Sequence, residues 1–221
     1  MMMSRPLFLG HRGARATRSI PENTIESFDL ALAHGCHGFE FDVRQTADGR
    51  AVICHDPTFH GIEVARAGSG DLQDLPVLQE VLARYWQTAF LDIEIKTTGP
   101  EATVLEALRS HPPQRGYVVS SFLPAVLHAI RALDREIPLG LICEDRPQLA
   151  AWKELPIQFV IPHYSVVDEA LCQILHAAGK QVLVWTVNRR EEMLKLNRRG
   201  ADGIISDDTK LLLEVLRAPE T

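Results

Sequence analysis

Three carboxylates in this sequence are spaced so that one cation could bind them all. Glu40 and Asp42 alternate with apolar residues over residues 39–44, and Glu94 does the same over residues 90–96. Alternate side chains of a strand share a face, so each segment presents its acidic groups on one side. Carboxylates gathered in one pocket repel each other unless a cation lies between them. All-oxygen ligands favour one divalent cation, Mg²⁺ or Ca²⁺ with Mn²⁺ as an alternative, over zinc.

Basic side chains accompany these carboxylates in the sequence. Arg12 offers a bidentate fork and Lys96 a point charge, and together with a metal ion they would form a phosphate cradle. His11 and His55 could then act as a general acid and base. This set predicts phosphoryl-transfer chemistry on a small anionic ester. Trp185 lies at the end of a predicted strand and is expected to contact the substrate, with a core position as the alternative.

A purely structural interpretation exists for each of these residues. Glu94 with Lys96 or Arg12 could form a salt-bridge network inside the protein, and the two histidines could be core residues with satisfied nitrogens. The convergence of so many polar groups on neighbouring strands favours the functional interpretation.

A predicted hairpin brings one histidine toward the carboxylates. Two strand-like arms, 39–44 and 51–54, flank an Asp-Gly turn signal. A four-residue loop would pair Gln45 with Arg50 and thereby place His55 directly opposite Glu40.

Strand-like and helix-like segments alternate through the rest of the chain. Eight strands, each followed by a helix, predict parallel pairing with right-handed crossovers. We therefore expect an α/β fold, a single TIM (β/α)8 barrel over residues 1–221, with a short antiparallel hairpin excursion after strand 2. Residues 57–75 are expected to form a short loop insertion over the barrel mouth. The alternative is a doubly wound open sheet, but its Gly-rich nucleotide-binding motifs do not occur in the sequence.

The predicted barrel also indicates where the site lies. A TIM barrel carries its active site at the C-terminal ends of the strands, where the polar residues above are expected.

Asn23 is predicted to cap the first helix, with Glu26 completing a capping box.

Composition narrows the class of partner. A net charge of −6 argues against nucleic acid or an anionic membrane, which leaves a small molecule as the expected partner. The four cysteines include no CxxC pair, which indicates reduced thiols and a cytoplasmic location. No apolar run is long enough for a transmembrane segment or indicates a signal peptide. No feature of the sequence specifies an oligomeric state.

The chain resembles the glycerophosphodiester phosphodiesterase family in a series of motifs that occur in order along nearly its whole length. Any one of them is weak, but the ordered set is specific. The motifs are HRG at 11–13, PENT at 21–24, E-x-D at 40–42, the T-x-DG turn at 46–49, HD at 55–56, EIK at 94–96, SSF at 120–122, WTVN at 185–188 and DGIISD at 202–207.

This resemblance implies a TIM barrel that hydrolyses glycerophosphodiesters to glycerol 3-phosphate and an alcohol. The functional positions of the family are filled here by His11 and His55 as acid and base, Glu40, Asp42 and Glu94 as cation ligands, and Arg12 and Lys96 as phosphate contacts. The sequence leaves open which histidine is the acid.

Two rival functions remain at the level of sequence. A lysophospholipase D or sphingomyelinase-type phosphodiesterase would use the same site on a lipid and would need an exposed apolar rim. A non-catalytic barrel that binds a phosphate ligand would be expected to lack a histidine or a carboxylate.

Overall fold

The chain folds into a closed barrel, seen in a computed structural model that describes residues 6–217. The strands within this range are β1 (Leu7–His11), β2 (Gly38–Gln45), β3 (Ala51–Ile53), β4 (Thr58–Phe59), β5 (Ile62–Glu63), β6 (Phe90–Ile95), β7 (Tyr117–Ser121), β8 (Leu139–Cys143), β9 (Phe159–Pro162), β10 (Gln181–Val184) and β11 (Gly203–Ser206). The helices are α1 (Ile25–His34), α2 (Leu78–Tyr85), α3 (Glu101–Ser110), α4 (Pro124–Leu133), α5 (Arg146–Leu149), α6 (Glu169–Ala177), α7 (Arg190–Arg198) and α8 (Thr209–Leu216).

The order of the strands closes the sheet. It runs β1-β11-β10-β9-β8-β7-β6-β2 with parallel neighbours, and β1 also pairs with β2. β3 is antiparallel and attached to β2. The predicted TIM barrel with an antiparallel excursion after its second strand is thus confirmed.

The barrel interior divides into a polar and an apolar half. The inward polar residues lie on β2, β6 and β7, whereas the inward residues of the other barrel strands, together with the first inward residue of β6 and of β7, are mainly apolar. The polar inward residues are Glu40, Asp42, Asp92, Glu94 and Ser120. The apolar inner cluster consists of Leu9, Phe90, Val118, Ile142, Phe159, Ile161, Leu183 and Ile205. A polar ligand in this barrel therefore meets charge on one side and hydrocarbon on the other.

The register of the predicted hairpin is wrong by one residue. Gln45 pairs with Ala51 rather than with Arg50, because the connecting loop has five residues. Thr46 donates its N–H to the Arg50 carbonyl (3.0 Å), and Gly49 takes a positive φ of 85° inside this loop. β3 ends at Ile53, so His55 has no partner in the ladder. It reaches the barrel mouth because the chain bends directly after β3.

The insertion that follows β3 contains short regular structure rather than only loop. β4 and β5 form a small antiparallel hairpin, and 3₁₀ turns follow at Val64–Arg66 and Ser69–Leu72. Apolar side chains of this segment pack with β3 in a satellite cluster. Its members are Val52, Cys54, Val64, Ala67, Leu72, Leu75 and Val77.

The first helix begins one residue later than predicted. Thr24 is its N-cap and accepts from the Ser27 N–H, and Ser27 rather than Glu26 completes the capping box. Asn23 instead takes a left-handed conformation (φ 58°) and turns its amide toward β2.

Among the helices of residues 6–217, none combines the length and the apolar character needed to cross a membrane.

Candidate active site

A cavity of about 130 Å³ at the barrel mouth, the central cavity, collects nearly all of the predicted site residues. Asp42 is the exception, since it lies fully buried just behind this surface. The predicted residues that line the central cavity are His11, Arg12, Glu40, His55, Glu94, Lys96 and Trp185.

The three carboxylates predicted to hold a cation meet at one point. Glu40, Asp42 and Glu94 each offer an oxygen, and these oxygens lie within 4.8 Å of one another. β2 and β6 are in register with Asp42 beside Glu94, which explains the convergence. Glu40 Oε1 is buried and has no hydrogen-bond partner among the described residues. A set of oxygen donors with an orphaned carboxylate atom fits a hard divalent cation.

The pKa shifts of these three carboxyl groups also favour a bound cation. Burial, followed by repulsion from Asp42, raises the pKa of Glu94 to about 7, and the same causes raise the pKa of Glu40 well above its usual value. Burial opposes ionisation of Asp42 as well, but Lys96, Arg12 and Asn23 outweigh it and lower its pKa. The cluster therefore gathers negative charge that the basic residues balance only in part.

The two predicted phosphate-binding residues form ion pairs and hydrogen bonds with the carboxylates. Arg12 Nε lies 3.1 Å from Asp42 Oδ2, and its backbone N–H donates to Glu40 Oε2 at 3.0 Å. Lys96 Nζ lies 2.6 Å from Glu94 Oε1 and 3.2 Å from Asp42 Oδ1. Both cations are mostly buried, so they are held at the cavity wall next to the cluster.

His11 is oriented by a network from the last strand of the barrel. Its Nδ1 lies 2.7 Å from Asp207 Oδ1, and Asn188 donates its amide N–H to Asp207 Oδ2 at 2.6 Å. Asp207 also returns its backbone N–H to Asn188 Oδ1 at 2.9 Å. Burial alone would raise the pKa of Asp207, but the bond to His11 lowers it to about 2. An ionised Asp207 favours the tautomer of His11 that carries its proton on Nδ1, which leaves Nε2 as the unprotonated nitrogen of the neutral ring.

His55 is held from the other side of the mouth. Its Nδ1 lies 2.7 Å from Asp56 Oδ1, and its carbonyl accepts two bonds from the Arg44 guanidinium, at 2.9 and 2.6 Å. Burial lowers the pKa of His55, although Asp42 and Asp56 act against this shift.

Aromatic and aliphatic side chains form the opposite wall. The indole of Trp185 donates to the Ile161 carbonyl at 2.9 Å and packs edge-on against Phe122, with ring centroids 5.4 Å apart. Ile142 and Ile205 complete this wall. It offers hydrocarbon contact to the nonpolar part of a bound ligand.

Reasoning from sequence assigned no role to several residues of this site, Asn188 and Asp207 among them, and assigned a different role to Asn23. Asn23 was expected to cap α1 but donates to Asp42 Oδ2 at 2.8 Å. Asp207 and Asn188 stood within recognised motifs without an assigned role. Their place at the ends of the last two barrel strands is the signal that could have identified them.

The comparisons with known proteins agree with this geometry. A model of the glycerophosphoryl diester phosphodiesterase family matches residues 11–84 and 70–211. The chain belongs to this family. It is accordingly a phosphoric diester hydrolase.

Relatives match over nearly the whole length. The glycerophosphodiester phosphodiesterase of Caldanaerobacter subterraneus is 27% identical, over 96% of this chain and 98% of its own. The solved glycerophosphodiester phosphodiesterase of Thermotoga maritima has a TM-score of 0.82 at 25% identity, covering 96% and 98% of the two chains. An Oleispira antarctica phosphodiesterase, solved with the product sn-glycerol-3-phosphate, has a TM-score of 0.84 at 27% identity, covering 97% and 98%.

Proposed function

We propose that this enzyme hydrolyses glycerophosphodiesters to glycerol 3-phosphate and an alcohol, with a divalent cation and the pair His11 and His55. One observation carries the proposal: a single cavity brings together a three-carboxylate cluster, two phosphate-binding cations and two anchored imidazoles. The product bound to the Oleispira relative supports glycerol 3-phosphate as the shared product.

Glu40, Asp42 and Glu94 would hold the cation, which when bound supplies positive charge to the phosphate oxygens. Magnesium and calcium both suit these oxygen donors. Arg12 and Lys96 neutralise charge that grows on the phosphate in the transition state. Trp185 and the isoleucines of the same wall, Ile142 and Ile205, bind the glycerol carbons and exclude water from the polar half.

The two histidines divide the proton transfers between them. One accepts the proton of the attacking oxygen, either of water or of the neighbouring glycerol hydroxyl. The other donates a proton to the departing alcohol. Each has Nδ1 occupied by a carboxylate, so both reactions take place at Nε2.

The rival functions have weaker support. A lipid phosphodiesterase needs a large contiguous apolar surface at the mouth. Among residues 6–217, the exposed large apolar side chains outside the helices are Ile62, beside Phe59 in the β4–β5 hairpin, and Leu123 after β7. A non-catalytic barrel would not be expected to keep both histidines anchored toward one cavity.

Release of glycerol 3-phosphate from glycerophosphocholine tests the proposal directly. Activity should disappear after chelation and return with Mg²⁺, Ca²⁺ or Mn²⁺. Glu94→Gln should lower it by about 10-fold or more, because a ligand is lost. Glu106→Gln, an exposed substitution on α3, is the matched control and should have no effect.

Two outcomes would contradict the proposal in different ways. Activity that persists in chelator would exclude the cation from the mechanism. Failure to cleave any glycerophosphodiester, with every metal supplied, would exclude the function itself.

A further inference from the structure

A chain of alternating charges connects two residues of the central cavity from outside that cavity. Glu22 accepts from Arg12 Nη1 at 2.7 Å through Oε1, and from Arg15 Nε through Oε2. Arg15 Nη1 donates in turn to Asp207 Oδ1 at 3.3 Å, and the same oxygen lies 2.7 Å from His11 Nδ1. The chain therefore begins at a predicted phosphate-binding residue and ends at a predicted proton-transfer residue.

Arg15 is the link on which this chain depends. Among the described residues, no hydrogen bond or ion pair joins Glu22 directly to Asp207, whereas Arg15 contacts both of them. A guanidinium group spreads its N–H donors over a rigid plane, so it can hold two carboxylates in a fixed relation. Without Arg15 the Arg12 half of the chain would be separated from the His11 half.

The backbone on either side holds Arg15 in place. The Ala14 N–H donates to the Ser27 carbonyl in α1, and the Ala16 N–H donates to the Asp207 carbonyl, both at 3.0 Å. Asp207 is thus bound to the loop between β1 and α1 through its carbonyl as well as its carboxylate. Because the flanking bonds fix its backbone, Arg15 loses little further backbone entropy when it bridges the two carboxylates.

Each charge in the chain favours the charged form of its neighbour. Burial lowers the pKa of Arg15, but Glu22 and Asp207 outweigh it and raise that pKa above its ordinary value. Burial raises the pKa of Glu22, but its hydrogen bonds with Arg12 and Arg15 lower it overall. In the absence of Arg15, the charge of Glu22 would act on Arg12 alone.

We propose that Arg15 is a positioning residue that couples the phosphate-binding Arg12 to the proton-transfer residue His11. This inference rests on the proposed function. By sharing Glu22, Arg15 leaves more of the Arg12 charge available to a phosphate oxygen. By sharing Asp207, it fixes the carboxylate that orients the imidazole. One side chain that does not line the central cavity thus supports both phosphate binding and proton transfer.

The first test separates the two effects by steady-state kinetics. On glycerophosphocholine with saturating metal, Arg15→Ala should raise KM by about 3-fold and lower kcat by about 10-fold, because Arg12 and His11 are both displaced. The melting temperature should change little, since exposed ion pairs contribute little to stability. Arg18→Ala is the matched control, because Arg18 is exposed in the same loop and lines the same surface cavity. Unchanged kcat and KM in Arg15→Ala would overturn the inference.

The second test restores the missing group. A surface cavity of about 670 Å³ beside Arg15 gives a small cation access to the two carboxylates. Guanidinium chloride at about 50 mM, far below the concentrations that unfold proteins, should raise kcat/KM of Arg15→Ala by about 3-fold or more. Urea, which has a similar shape but no charge, and sodium chloride should not. Equal stimulation by either of these, or none by guanidinium, would contradict the proposal.

The third test measures the coupling itself, which a merely structural role would not produce. Glu22→Gln and Asp207→Asn together should change kcat/KM by a factor that differs by about 3-fold or more from the product of their single effects. In the Arg15→Ala background the two effects should multiply to within about 2-fold. Coupling that is absent from both backgrounds, or equal in both, would overturn the inference. If the wild-type enzyme with metal cleaves no glycerophosphodiester, it is the proposed function that fails.

Discussion

Each imidazole at the barrel mouth is anchored by a carboxylate, but the two anchors lie in different surroundings. Asp207 has a side chain only 19% exposed and accepts from Asn188 as well as His11, whereas the Asp56 side chain is 72% exposed. A mostly buried carboxylate that also accepts from Asn188 and Arg15 orients its histidine more firmly than one in solvent. Asp207 is therefore the positioning residue whose substitution should reduce activity more than that of Asp56.

Asp207→Asn should reduce kcat by about 10²-fold or more with little change in KM. The new amide cannot accept from both donors, because one of its two ends is an NH₂ group. Steady-state kinetics on glycerophosphocholine measure the effect. Asp208→Asn is the matched control, since Asn caps α8 as well as Asp does, and its kinetics should stay normal. Near-normal turnover of Asp207→Asn would remove this role.

At the scale of elements, the loop between β1 and α1 serves two purposes with adjacent residues. Thr24 caps the helix, whereas the Asn23 side chain points away from the helix and donates to Asp42. Helix stability and carboxylate placement are therefore separable by substitution.

Thr24→Ala should lower the free energy of unfolding by about 1 kcal/mol and leave cation affinity unchanged. Asn23→Gly keeps the left-handed backbone accessible but removes the amide, and should weaken cation binding by about 10-fold with little change in stability. Calorimetric titration and thermal unfolding of both variants provide the measurements. Equal effects of the two substitutions on cation binding would show that the amide has no such role.

Much of this arrangement could be predicted from the sequence because it follows from local patterns. Period-two alternation predicted that Glu40, Asp42 and Glu94 share the barrel interior, and the alternation of strands with helices predicted the fold. The hairpin register was wrong because the loop takes one more residue than its Asp-Gly signal suggested. The contact of His11 with Asp207 joins residues 196 positions apart, so no spacing rule reveals it.

At the scale of the whole molecule, the polar half of the barrel makes stability depend on pH. Burial raises the pKa of Asp92 to about 7, as it does for Glu94, from ordinary values of 3.8 and 4.5. The folded chain without a cation therefore retains protons near pH 6 that the unfolded chain has released. The contribution of Asp92 and Glu94 to the free energy of unfolding should be highest below about pH 4.5. It should fall as the pH rises from there through about 7.

A bound cation should reverse this loss, because it stabilises the ionised carboxylates. We expect the rise in melting temperature caused by saturating Ca²⁺ or Mg²⁺ to be larger at pH 8 than at pH 5.5. Calorimetric melts with chelator and with metal, at constant ionic strength, measure it. Glu94→Gln should make this metal-induced rise depend less on pH. A rise that is the same at both pH values would contradict the protonation of Asp92 and Glu94 in the cation-free protein.

The backbone N–H of Arg12 donates to Glu40, so the proposed phosphate-binding arginine is hydrogen-bonded to one of the proposed cation ligands. The same arginine also touches Asp42 through its side chain. Any cation that fixes these carboxylates also fixes the arginine, and so prepares it for an anion. Thermodynamic linkage then works in both directions: the factor by which cation tightens phosphate binding is the factor by which phosphate tightens cation binding. Substrate would thus help this enzyme to retain its metal.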